Sequence, residues 1–185
     1  MNKTVTSEAE ILTAARTLLL EKGAAALNMR AVAAACGVAV GSIYNYFPSK
    51  GALVGATIES IWRDIFAAFT AAPQYDRFVD AAAALLEALS AGEERYSGFF
   101  SLHAFFFASA DKAEGRARMN TLFSALRDKL VEALAGDAKV RAEVFSGALS
   151  PETFAGYVLT LAISKHLQPS DDNAALLAMI EHCIY

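Results

Sequence analysis

Cysteine, proline, histidine and tryptophan are all scarce in this chain of 185 residues, at two, four, three and one respectively. Two cysteines, Cys36 and Cys183, cannot build the disulfide framework that staples small secreted domains, which points to a reducing, cytoplasmic setting. The histidines, His103, His166 and His182, are scattered, and His182 and Cys183 would project about 100° apart on a helix, poor geometry for one metal ion. No Ser-His-Asp, HExxH or phosphate-loop arrangement is present, so neither a cofactor, a metal site nor an enzymatic activity is expected. Mean hydropathy is high at +0.34, but no apolar run approaches the roughly 20 residues of a spanning helix. Much of that hydropathy is alanine, about one residue in five, which favours helices before it favours membranes. The opening MNKTVTSEAEILTAA lacks an uninterrupted apolar core and does not read as a signal peptide.

Alternating strand patterns are also missing, and a helical period runs through the chain, predicting an all-α fold. Ser7 and Glu10 form a capping box for a first helix, with Ile11, Leu12, Ala15, Leu18 and Leu19 as its apolar stripe and Gly23 as its stop. Asn28 caps a short helix through Ala35, Gly37 ends it, and a third short helix runs over about 40–46. Ser49 caps a long helix over about 50–69. Further helices are expected at about 75–91, 94–110, 112–135, 151–167 and 172–184, with Gly92 among the separators and 137–149 ambiguous. The net charge of −4 is uneven. Residues 1–50 hold Lys3, Arg16, Lys22, Arg30 and Lys50 against Glu8, Glu10 and Glu21, a net of +2, leaving −6 for the rest. That asymmetry is a mild pointer to a polyanion at the N-terminal part.

Residues 29–48, MRAVAAACGVAVGSIYNYFP, fit a helix-turn-helix. Ala33 is small where two helices approach, Gly37 can take positive φ at the turn, and Ile43 anchors the second helix. Taken alone, that spacing also fits a plain helical hairpin. Together with its surroundings, ILTAARTLLLEKGAAALNMRAVAAACGVAVGSIYNYFPSKGALV over 11–54, it resembles the tetracycline-repressor (TetR) family of bacterial transcription regulators. The most specific part is the string Gly41, Ile43, Tyr44, Tyr46, Phe47 and Lys50. The likeness covers about the first 65 residues. The family often has Ser or Thr before its recognition helix; here Ala39 stands there, without a capping hydroxyl.

On this reading residues 1–49 are a DNA-binding domain and 50–185 a ligand-binding and dimerisation domain. Tyr44, Tyr46, Arg30, Lys50 and the Asn28 cap suit phosphates, whereas Val40, Ser42 and Asn45 suit base edges. Gly41 admits the backbone close to the duplex. Lys3 and Thr4 form either an arm or a frayed end. With so few cations, binding should depend only shallowly on salt.

Aromatics cluster further on. Phe99, His103, Phe106 and Phe107 share a helical face with Phe100 beside it, and Trp62, Phe66, Phe69, Met119, Phe123 and Tyr157 are candidates to face them. The residues alone allow two readings, an ordinary core or an apolar cavity with His103 as its polar handle. The resemblance implies the second, a small effector whose binding moves the fourth helix, and the aromatic lining argues for an apolar or planar one. The last two helices carry apolar stripes, with Phe154, Val158, Leu161, Ala162 and Lys165 on one and Leu176, Met179, Ile180 and Cys183 on the other. The resemblance implies that they pair with a second subunit, giving a homodimer on a palindromic operator. Two rivals stay open: an activator or ligand-independent regulator of the same fold, and an all-helical protein-interaction adaptor without DNA binding.

Overall fold

The computed structural model describes residues 6–100, 112–165 and 173–185, and every described element is helical. The helices are α1 (Glu8–Lys22), α2 (Met29–Cys36), α3 (Val40–Tyr44), α4 (Lys50–Ile65), α5 (Ala67–Ala71), α6 (Phe78–Arg95), α7 (Lys112–Gly136), α8 (Pro151–Lys165) and α9 (Asn173–Ile184). Single 3-10 turns occupy Ala24–Ala26 and Ala142–Val144, the second within the stretch whose sequence was ambiguous.

Local chemistry accounts for most helix ends. The capping box forms as expected, with the Glu10 N–H donating to the Ser7 hydroxyl and the Ser7 N–H to the Glu10 carboxylate. Asn28 Oδ1 accepts from the Ala31 N–H at 3.0 Å, and Ser49 Oγ from the Ala52 N–H at 3.0 Å. Gly37 takes the left-handed conformation (φ 66°, ψ 28°) that a side chain would resist, and the Val38 N–H then reaches back to the Ala33 carbonyl.

Two expectations about helix ends fail. The helix expected over 50–69 breaks at Phe66 (φ −92°, ψ 7°). Thr70 Oγ1 donates back to the Phe66 and Ala67 carbonyls beside the break. Gly92 separates nothing. It is buried inside α6, which continues to Arg95, and close packing asks for glycine there, since a Cβ would lie 2.8–2.9 Å from Ile65 carbons.

The chain packs as two compact units, one of Met1–Asp64 and Tyr96–Asn120, the other of Ile65–Arg95 and Thr121–Tyr185. Their boundary differs from the expected division after residue 49, because α4 as far as Asp64 packs with the helices before it. In the first unit Ile11, Leu19, Leu27, Val32, Ile43, Phe47 and Leu53 are buried. Trp62 meets Phe99 and Phe100 edge-on at ring separations of 5.4 and 5.3 Å, and Tyr96 Oη donates to Asp64 at 2.6 Å. In the second unit Phe78, Leu85, Leu89, Leu126, Leu130, Ala155, Ala162, Ile180 and Ile184 form the core. Lys129 Nζ closes the α5 end by donating to the Ala72 carbonyl at 2.8 Å.

Among the described residues no helix is long and apolar enough to cross a membrane.

Candidate nucleic-acid interface

The candidate interface is a short helix set out on an apolar anchor. α3 has five residues and no side-chain cap at Ala39, as the missing hydroxyl foretold. So short a helix is not stable by itself. Ile43 and Phe47, at 0% and 3% exposure, fasten it from below, and the Phe47 N–H extends it by bonding the Ile43 carbonyl at 2.9 Å. Burying that face turns the other outward. Tyr44 is 51% exposed, Gly41 and Asn45 are exposed, and Val40 and Ser42 are half-buried. Arg30 on α2 and Lys50 at the start of α4 are exposed as well. A Cβ at Gly41 would meet nothing within 4 Å, so nothing inside the protein requires glycine there.

Two of the residues expected at phosphates have other work. Asn28 uses Oδ1 to cap α2 and donates an Nδ2 hydrogen to the Ala26 carbonyl at 3.1 Å. Tyr46 has an exposed ring, but its hydroxyl donates to the Thr6 carbonyl at 2.6 Å. A phenol has one proton, and here it is committed. Spacing within the motif cannot reveal this, because the acceptor lies 40 residues away.

The expected effector residues divide. Trp62, Phe99 and Phe100 come together in the first unit and fill the space between them, and Met119 is buried in the same unit. Phe66 and Phe69 are buried and Phe123 half-buried in the second unit, where Phe69 stacks on Tyr75. His103, Phe106 and Phe107 lie outside the described residues, as do Lys3 and Thr4. Tyr157, expected in the effector pocket, is instead 61% exposed at the rim of an apolar groove of about 230 Å³ in the second unit. On α8 it follows Phe154 by three residues and precedes Leu161 by four, so it shares their face.

That groove contains much of the expected dimer surface. Phe145, Phe154, Val158, Leu161, Met179 and Cys183 line it. Leu161 and Met179 are 43% and 45% exposed and Cys183 is exposed, whereas Phe154, Val158, Ala162 and Ile180 are buried within the chain and Leu176 is half-buried. Lys165 Nζ bonds Asn173 Oδ1 at 2.7 Å, tying the end of α8 to the start of α9.

A junction that the sequence did not disclose closes the second unit. Asp137, 5% exposed, accepts from the Phe78 N–H, the Lys139 N–H and the Tyr185 hydroxyl. Burial opposes its ionisation, but these bonds and nearby Arg77 outweigh it and hold the carboxyl below its usual range. The available signal was slight, an aspartate just after a helix-ending Gly136 and a tyrosine after an apolar helix. Among the described residues no three His, Cys, Asp or Glu side chains gather to hold a metal ion.

Residues 11–57 match the family model described as bacterial regulatory proteins, tetR family. No curated protein matches the chain in sequence. The fold is shared with solved regulators. The reduced form of Escherichia coli NemR is 20% identical, with a TM-score of 0.67 over 96% of this chain and 97% of that one. SCO7222, a TetR from Streptomyces coelicolor, is 20% identical, with a TM-score of 0.62 over 96% and 95%. The TetR family regulator PfmR of Thermus thermophilus is 19% identical, with a TM-score of 0.57 over 97% and 96%.

Proposed function

We propose that the chain, with a tetR-family match over residues 11–57 and a helical fold shared with TetR regulators, is a TetR-like transcriptional regulator, a cytoplasmic repressor that binds a palindromic operator as a homodimer. The observation that carries this reading is the outward face of α3 on its Ile43–Phe47 anchor. There Tyr44 and Asn45 project, and the bare backbone at Gly41 lets the helix come close to a duplex. Arg30 and Lys50 are free to neutralise phosphates. Val40, Ser42 and Asn45 carry the sequence preference.

The half-exposed Tyr157, Leu161 and Met179 are the surface that a second subunit covers. A small apolar or aromatic effector releases the repressor from a site that includes Trp62, Phe99 and Phe100. The chain has a single tryptophan, so the emission of Trp62 would report that binding directly.

Selection of bound fragments from the source genome, followed by gel shift, tests the proposal. Arg30→Ala and Lys50→Ala should weaken binding to all sequences alike, and Val40→Ala and Asn45→Ala should change the preference among sites. Gly41→Ala should leave folding intact while weakening the complex. If the wild-type chain forms no site-specific complex, an adaptor role replaces this one. If all of these variants keep the complex unchanged, the assigned surface is wrong.

A further inference from the structure

The recognition helix has a strut at its far end. α3 begins without a side-chain cap and spans five residues, so its orientation depends on what holds it from outside. Ile43 and Phe47 fasten one face to the core, but apolar contacts are non-directional and permit rotation about that face. The Tyr46 hydroxyl supplies a direction. It donates at 2.6 Å to the carbonyl of Thr6, just ahead of α1.

That carbonyl is itself well placed. Thr6 is 8% exposed, its Oγ1 donates to Glu10 Oε2 at 3.4 Å, and the next residue is clamped by the capping box at 2.8 Å. Thr6 also lines one groove with Cys36, the last residue of α2. The start of α1, the end of α2 and the end of α3 therefore meet at one residue. The chemistry excludes double duty. A phosphate oxygen only accepts, and a phenol whose proton is bonded elsewhere offers it lone pairs alone.

We propose that Tyr46 is a positioning residue, holding recognition helix α3 against the Thr6 carbonyl, and not a phosphate ligand. This rests on the DNA-binding reading above for its consequence but not for its geometry. Its loss lets the helix swing, weakening cognate and non-cognate complexes by a similar factor while the order of preferred sites stays the same.

The test compares the full chain, Tyr46→Phe, a chain lacking residues 1–6, and the combination, by titration of a selected genomic fragment. Tyr46→Phe should weaken binding about 3- to 10-fold, the range that one neutral hydrogen bond supplies. In the shortened chain, whose Thr6 carbonyl is gone, Tyr46→Phe should cost nothing further. A loss in the shortened chain equal to that in the full chain would show that Tyr46 touches DNA by itself and overturn the proposal. Amide exchange of the free protein gives an arm independent of DNA. Residues 43–47 should exchange faster in both single variants, and unchanged exchange there would overturn the strut. A wild-type chain that binds no fragment removes the regulatory reading, and the exchange arm still judges the strut.

Discussion

One tyrosine closes the recognition-helix end of the first unit and another the C-terminal helix of the second, and these two closures differ in kind. In the first, Tyr46 gives its proton to a neutral backbone carbonyl beside an exposed helix. In the second, Tyr185 gives its proton to the carboxylate of Asp137, which is buried and accepts two backbone N–H bonds as well, each at 2.9 Å. Arg77 lies over the Tyr185 ring at 5.2 Å, and the Arg141 N–H bonds the Ile184 carbonyl at 2.9 Å. Hydrogen bonds to an ionised acceptor are about twice as strong as neutral ones. The second unit thus fixes α9 firmly, whereas the first holds its recognition helix by a single neutral bond and an apolar anchor. A surface that must adjust to a duplex belongs at the weaker end of a protein's local stabilities.

The comparison breaks first at Asp137. Asp137→Ala leaves two backbone N–H groups and a phenol without their acceptor and should cost about 3 kcal/mol or more in denaturant unfolding of the full chain. A loss under about 1 kcal/mol would mean that the second closure is no stronger than the first. Tyr185→Phe removes the bond to the Asp137 carboxylate, together with a long acceptance from the Val79 N–H at 3.5 Å, and should cost about 1.5–3 kcal/mol. Its cost should also depend on pH. The folded carboxyl of Asp137 is lowered, so the stability it confers is fully present above the unfolded value near 4 and is lost as pH falls toward the lowered one. Without the phenol that lowering is smaller, and the gap between wild type and Tyr185→Phe should narrow below about pH 4. A gap that stays constant down to pH 2 would show that the carboxylate is not the acceptor that matters.

What could be read from the sequence follows the reach of each cause. Ser7 with Glu10, Asn28, Gly37 and Ser49 act within three or four residues, and the helix boundaries they set were legible. Gly92 was misread because its reason is Ile65, a residue distant in sequence. On α3 the exposed set followed from Ile43 and Phe47 facing inward, which is periodicity. The partner of the Tyr46 hydroxyl did not, since a motif specifies a side chain but not what takes its proton. Asp137 and Tyr185 are 48 residues apart, and neither belongs to a pattern.

On the other side of the comparison, Tyr46→Phe should lower global stability by only about 0.5–1.5 kcal/mol, because its acceptor is neutral and its ring can stay in place. That cost should be flat between pH 4 and 8, with no carboxylate as the acceptor. A pH-dependent cost would tie the first closure to a charge, Glu10 being the nearest candidate through Thr6.

The smallest effect is expected at Glu59, where the first unit uses charge, as it also does in the Tyr96–Asp64 bond. Its carboxylate pairs with Arg63 at 2.7 Å and Arg118 at 3.3 Å, so it links α4 to α7. Glu59 itself is only 12% exposed, but the arginine side chains are 62% and 42% exposed, and water and salt screen both pairs. Glu59→Gln keeps the shape and one acceptor oxygen, so it should cost less than about 1 kcal/mol in low salt, and less still at high ionic strength. Unfolding at two salt concentrations checks this. A loss above about 2 kcal/mol that persists in salt would place a strong charged closure in the first unit too, and the contrast with Asp137 would no longer hold.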